Sequence, residues 1–83
     1  MKNIFTINII ALRKNAKYTQ KYVADKIGMT YGAYVYCERG NFPEKFEQFI
    51  NLCKLYNVDA NKLLGIEKNI IYPELNKNKE NNI

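Results

Sequence analysis

Apolar residues recur at helical spacing along most of the first 65 positions, and cap or turn residues separate the stripes. The apolar positions of the first segment, whose pattern ends near Tyr18, are Phe5, Ile9, Leu12 and Ala16. In the second segment Thr19 suits an N-cap and Gly28 suits the end of a helix. The residues expected to face inward between them are Val23, Ala24 and Ile27. The pattern predicts helices and short turns throughout, without an internal repeat.

The third segment, TYGAYVYCERG at positions 30–40, has two unlike faces. Successive helical residues turn by about 100°. One face, which is predicted to join the core, contains Thr30, Ala33, Tyr34 and Cys37. The opposite face contains Tyr31, Gly32, Val35, Tyr36 and Arg39. This second face is too mixed for burial and too apolar for unexplained exposure to water, so we expect it to contact a partner.

Two further helices are predicted after a turn at positions 41–43. Pro43 suits the first turn of the fourth helix, and Asn57 suits its end. The apolar positions of this helix are Phe46, Phe49, Ile50, Cys53 and Tyr56. Asp59 is expected to cap a short fifth helix with Leu63 and Leu64 on its buried side. The sequence therefore predicts an all-α domain of five helices over residues 1–65.

The last third of the chain has more large apolar residues than the core of a small five-helix domain obviously needs. They are Leu52, Leu55, Leu63, Leu64, Ile66, Ile70, Ile71, Tyr72 and Leu75. Residues 66–83 form a C-terminal tail, and its polar end at 76–83 is predicted to be disordered. Exposed apolar patches usually mark interfaces, so this end of the chain is predicted to join two copies. The alternative is a tail that folds back over the core of its own chain.

Composition limits the chemistry available to the chain. Its 83 residues are 47% hydrophobic and 25% charged, which is ordinary for one compact globular domain. The net charge of +5 makes an anionic partner plausible, although a solvated basic surface would give the same value. Because there is no histidine and no CxxC pair, neither a zinc site nor a Cys-His nucleophile can be assembled.

Other catalytic patterns are also missing from the sequence. It has no glycine-rich phosphate loop, no paired-carboxylate group and no GxSxG turn. The chain is therefore predicted not to be an enzyme and to use no cofactor or metal, and no small-molecule ligand is evident. The short apolar run near the N-terminus is interrupted by Asn8 and lacks a cleavage site, which predicts a cytoplasmic protein without a membrane span.

The run TQKYVADKIGMTYGAYVYCERG resembles the helix-turn-helix of the Cro/phage-repressor family, also called Xre-type. The resemblance continues through FEQFINLCKLYNVDANKLLG and covers about residues 9–65. Gln20 opens the first helix of the motif, Ala24 is small where the two helices cross, and Gly28 lies at the turn, where a positive φ is needed. The resemblance implies a lambda-repressor-like DNA-binding domain of five helices.

The resemblance also implies roles for individual residues. In a helix-turn-helix the second helix lies in the major groove, and the first crosses the sugar-phosphate backbone. The positions that match groove-facing sites of the family are Thr30, Tyr31, Gly32 and Tyr36. The positions expected to contact phosphates are Gln20, Lys21, Asn41 and Lys45. Arg13 and Glu38 are expected to form a structural ion pair, with two separately solvated side chains as the alternative.

Three positions depart from the family pattern. Gly32 stands where a side chain that reaches a base is common, so it either lets the backbone come close to DNA or removes a contact. Tyr34 stands at an inward position that is usually aliphatic, and its hydroxyl needs a partner or a place at the rim. Lys17 stands where glycine often follows the first helix, so it needs a backbone that tolerates it.

The resemblance predicts a sequence-specific double-stranded DNA-binding transcriptional regulator. We expect a repressor or autoregulator that acts as a homodimer on a pseudo-palindromic operator. The alternative is a protein-interaction adaptor or antitoxin-like module on the same fold, with weak or no DNA binding. Positive groups gathered around the start of the third helix would favour the regulator, whereas a continuous apolar patch there would favour the adaptor.

Overall fold

The computed structural model describes residues 3–66, which form five helices joined by short turns. The helices are α1 (Ile4–Asn15), α2 (Gln20–Ile27), α3 (Tyr31–Glu38), α4 (Phe46–Tyr56) and α5 (Ala60–Leu64). No strand occurs in this range, and the predicted all-α fold is confirmed. Among these helices none combines the length and the hydropathy of a membrane span. The predicted disordered end and most of the predicted dimerisation tail lie outside the described residues.

Local capping sets the ends of the helices, largely as predicted. The side chains of Thr19 and Asp59 accept hydrogen bonds from backbone N–H groups in the first turns of α2 and α5. Gly28 ends α2 with a φ of 79°, and Asn57 ends α4 with a φ of 54°. Lys17, between α1 and α2, also adopts a positive φ of 62°. A lysine therefore occupies a conformation that costs an L-residue with a Cβ roughly 1 kcal/mol.

A single core lies between the helices. α2 packs against α3 and α4, while α1 packs against α3 and α5. The buried apolar side chains are Phe5, Ile9, Val23, Ala24, Ile27, Tyr34, Cys37, Phe49, Leu52 and Leu63. Because α2 and α1 cover α3 from the core side, the outer face of α3 is left in contact with solvent.

The structure corrects the predicted core of α1. The helix ends at Asn15, so Ala16 is an exposed cap residue instead of a core residue. Apolar spacing alone placed the end too late, since helix boundaries depend on capping contacts as well. Thr6 is fully buried, and its hydroxyl donates to the backbone oxygen of Cys37 at 3.3 Å. This bond satisfies a polar group at a position that the apolar pattern did not include.

The structure also corrects the start of α4. The helix begins at Phe46, so Pro43 lies in the preceding turn and not in the first turn of the helix. Phe46 was predicted to be buried but is 75% exposed. As the first residue of α4 it extends beyond the core, and its ring rests against that of Phe49 with centroids 6.0 Å apart.

Several leucines predicted at a dimer interface belong to the core. Leu52 and Leu63 are almost completely buried. Leu55 and Leu64 are partly buried and pack against the same cluster. The buried face of α4, which packs against α2 and α5, therefore includes Leu52 and excludes Phe46, unlike the predicted stripe.

Candidate nucleic-acid interface

α2, a short turn and α3 form a compact helix-turn-helix. Gly28 ends α2 in the left-handed region, and the Met29 N–H then donates to the Ala24 oxygen at 2.9 Å. Thr30 follows at once and caps α3, so only three residues separate the two helices. Ala24 is fully buried, as expected for a small residue where the two helices cross. The short turn and the close packing fix the orientation of α3 relative to α2.

The outer face of α3 exposes two tyrosines. Tyr31 is 54% exposed and Tyr36 is 61% exposed. Gly32 lies between them, and a Cβ added there would meet no other atom of the described protein within 4 Å. Thr30 and Ala33, which were predicted to face the core, are exposed; the Thr30 hydroxyl accepts from the Ala33 N–H at 3.2 Å. Capping explains the exposure of Thr30, because an N-cap residue lies at the end of its helix and not on a packed face. Ala33 lies at the wall of the groove beside α3.

A groove of about 680 Å³ lies beside α3. It separates the first turns of α3 from residues 41–48. Four of the eight predicted DNA contacts are among its lining residues: Thr30, Tyr36, Asn41 and Lys45. The Asn41 amide nitrogen donates to the backbone oxygen of Tyr36 at 2.9 Å, which ties the loop to α3. The fold therefore brings these four residues to one concave surface.

A buried polar cluster joins α1, α2 and α3 behind the exposed face. Its centre is Glu38, which is 6% exposed. The carboxylate accepts from Arg13 Nε at 2.6 Å and from Arg13 Nη2 at 3.0 Å, in a bidentate arrangement. It also accepts from the Tyr34 hydroxyl at 2.5 Å and from Gln20 Nε2 at 2.9 Å. The hydroxyl of Tyr34 thus has the partner that its buried position requires.

These contacts fix the ionisation of the cluster. Burial raises the pKa of Glu38, but the hydrogen bonds from Arg13, Tyr34 and Gln20 outweigh burial and hold the pKa below its ordinary value. Burial, followed by the hydrogen bond to Glu38, raises the pKa of Tyr34. Glu38 is therefore a carboxylate at neutral pH, and it can only accept hydrogen bonds.

Gln20 connects the buried cluster to the outer face. Its amide nitrogen donates to Glu38, and its Oε1 lies 3.5 Å from the hydroxyl of Tyr31. One N–H of this side-chain amide is thus used inside the protein, and one remains for a phosphate. Backbone N–H groups at the start of α2 can also bind a phosphate, because the first N–H groups of a helix have no partner within it.

Charge near the helix starts favours an anion. Neither α2 nor α3 has an acidic residue in its first turn, so no carboxylate of the helix's own first turn opposes the positive end of either helix dipole. Lys21 lies in the first turn of α2 and forms an exposed pair with Asp25 at 3.5 Å. Exposed pairs of this kind contribute little, so Lys21 can exchange Asp25 for a phosphate at small cost. Lys45 lies separately, in the groove beside α3.

Two residues of this surface were not among the predicted contacts. Arg39 is exposed at the C-cap of α3, three positions after Tyr36. Helical spacing placed Arg39 on the outer face, and that signal could have identified it. Phe42 is 56% exposed, lines the groove and stacks on Phe5 with centroids 4.8 Å apart. Its position depends on the path of the loop before α4, which helical periodicity does not describe.

Comparisons with known proteins place this geometry in context. No family model and no solved structure matches the chain. Over 66 residues, or 80% of its length, the chain is 35% identical to the uncharacterized HTH-type transcriptional regulator YqaE of Bacillus subtilis (strain 168). The matched region spans 57% of that relative. With the α2–turn–α3 geometry, this likeness supports a relationship to helix-turn-helix transcriptional regulators.

Proposed function

We propose that this chain is a sequence-specific double-stranded DNA-binding transcriptional regulator of the Xre type. In this proposal it is a repressor or autoregulator that acts as a homodimer on a pseudo-palindromic operator. The observation that carries the proposal is the exposed outer face of α3, which presents Tyr31 and Tyr36 from the second helix of a helix-turn-helix. The likeness to an HTH-type transcriptional regulator supports the same function.

Base reading is assigned to the outer face of α3. An α-helix with its side chains is about 10–12 Å wide, and the major groove of B-DNA is about 12 Å wide. The positions assigned to base edges are Thr30, Tyr31, Gly32 and Tyr36. A tyrosine hydroxyl can donate or accept one hydrogen bond, and its ring can pack on the methyl group of thymine.

Phosphate binding is assigned to residues on either side of α3. Phosphates of one strand would be bound at the start of α2, by the Lys21 side chain and by the backbone N–H groups of Gln20 and Lys21. Lys45 and Asn41 would contact phosphates from the groove side. Asn41 uses one amide N–H for the Tyr36 oxygen and keeps a second for DNA. Contacts of this kind position a protein without reading sequence.

The test is a salt titration of binding to duplex DNA. For each phosphate that the protein neutralises, the slope of log affinity against log salt should be about −0.9. Lys45→Glu should weaken binding to all sequences alike and reduce the magnitude of the slope by about one per domain. Lys54→Glu is the matched control, because the same charge change lies in the last turn of α4, roughly 13 Å further along the helix.

An adaptor without DNA binding is the second candidate. The observation that favours it is the exposure of Phe42 and Phe46 around the start of α4, where Phe42 also lines the groove. Exposed aromatic side chains at a concave surface are typical of protein interfaces. Binding to duplex DNA that is undetectable at low salt, or that does not change with salt, would favour the adaptor over the regulator.

A further inference from the structure

The carboxylate of Glu38 determines which way the Gln20 amide points. An ionised carboxylate accepts hydrogen bonds and cannot donate them. The Gln20 atom that lies 2.9 Å from Glu38 must therefore be the nitrogen. The amide oxygen then points to the surface, within reach of the Tyr31 hydroxyl at 3.5 Å. This assignment follows from chemistry and does not depend on how the two amide atoms are distinguished.

The outward-facing amide oxygen in turn sets the direction of the Tyr31 hydroxyl. A phenol has one proton to donate and lone pairs that accept. The Gln20 oxygen has no proton, so a hydrogen bond across this 3.5 Å contact has Tyr31 as its donor. In that bond the donor of Tyr31 is used within the protein, and its oxygen presents lone pairs to a ligand at the exposed end of the ring.

We infer that Gln20 is a positioning residue that makes Tyr31 a hydrogen-bond acceptor toward DNA, so that Tyr31 selects adenine or cytosine. This inference rests on the proposed function. In the major groove the hydrogen-bond donors are the amino groups of adenine N6 and cytosine N4. Guanine O6 and N7 and thymine O4 are acceptors, and they would place lone pairs against the lone pairs of Tyr31. The buried cluster thereby acts on base choice without touching DNA.

The experiment is selection of bound duplexes from a random DNA library with the unaltered protein, Tyr31→Phe and Gln20→Met. The unaltered protein should enrich adenine or cytosine at one position of each half-site. Tyr31→Phe should reduce that preference by about tenfold at this position alone, which is the effect of losing one good base contact. In Gln20→Met the freed hydroxyl can donate, so guanine or thymine should become acceptable at the same position.

Tyr36→Phe is the control, and it should change base preference at a different position of the DNA site. If Gln20→Met weakens all sequences equally and leaves base preference unchanged, the positioning role is overturned. Enrichment of guanine or thymine by the unaltered protein, at the position that Tyr31→Phe affects, overturns it as well. Failure of the unaltered protein to enrich any sequence would instead reject the proposed function, and the inference with it. Tyr31 is exposed, so Tyr31→Phe stays informative even where Gln20→Met does not fold.

Discussion

At the scale of single residues, two buried tyrosine hydroxyls differ in whether a hydrogen bond offsets the free-energy cost of burying them. The Tyr34 hydroxyl donates to Glu38 within the buried cluster. The Tyr56 hydroxyl is also buried, but it has no hydrogen-bond partner among the described residues. Burial is the main cause that raises the pKa of Tyr56 to about 12. A buried hydroxyl without a hydrogen-bond partner lowers stability, because no bond within the protein replaces the hydrogen bonds it made to water.

Replacing these tyrosines by phenylalanine should destabilise the protein at position 34 but not at position 56. Tyr34→Phe should lower the free energy of unfolding by about 1–3 kcal/mol, because Glu38 loses a donor while it remains buried and charged. Tyr56→Phe should leave stability unchanged or raise it by about 1 kcal/mol, because only an unsatisfied hydroxyl is removed. Urea unfolding of both variants measures the difference.

Each variant serves as the control for the other, since both delete one phenolic oxygen from a ring that contacts the core. Equal losses in the two variants would show that the Glu38 contact contributes nothing specific. A large loss in Tyr56→Phe would contradict the view that its hydroxyl is unsatisfied.

At the scale of elements, α3 has a glycine where the protein leaves space for a side chain. Gly32 has a helical position on the exposed face, and a Cβ there would meet no described atom within 4 Å. Glycine inside a helix costs about 0.5–1 kcal/mol relative to alanine. The helix therefore carries a local cost that core packing does not explain, and close approach of α3 to DNA would account for it.

Gly32→Ala should stabilise the free protein and weaken DNA binding. Unfolding free energy should rise by about 0.5–1 kcal/mol. Affinity for the selected operator should fall several-fold, because the new methyl group stands between α3 and the base edges. Ala33→Gly is the matched control: it should lose similar stability at the next, also exposed, position of the same helix. Unchanged DNA affinity in Gly32→Ala would contradict close approach of the α3 backbone to DNA. It would favour the alternative, in which glycine merely lacks a side chain that could contact a base.

Sequence patterns predicted those features of the elements that depend on local chemistry. Thr19 and Gly28 bound α2 as expected because caps and left-handed turns involve only neighbouring residues. The exposure of Phe46 and the burial of Leu52 were missed because they depend on where other helices meet α4. Spacing and resemblance placed candidate contacts on α3, but the internal bond of Gln20 to Glu38 joins residues 18 positions apart and was not foreseen.

At the scale of the whole molecule, the structure changes which residues could join two copies. Leu52 and Leu63 are buried in the core and are unavailable. The large apolar residues that remain exposed on α1 and after α5 are Ile4, Ile7 and Ile66. Ile4 lies against Gly65, so α1 and the end of α5 meet at this surface. We propose that this surface, together with the tail that leaves from Ile66, joins the homodimer.

A dimer is expected because one recognition helix reads few base pairs, whereas two helices about 34 Å apart read two half-sites. Ile7→Glu should weaken dimerisation at least tenfold, because it places a charge in an apolar contact, yet it should fold because Ile7 is 50% exposed. Phe46→Glu, at a more exposed apolar residue of α4, is the control that should stay dimeric. Light scattering at micromolar concentration measures both, and a truncation after Gly65 separates the part played by the tail. An unaltered protein that is monomeric, or an Ile7→Glu variant that dimerises as well as the unaltered chain, would exclude this surface as the joint.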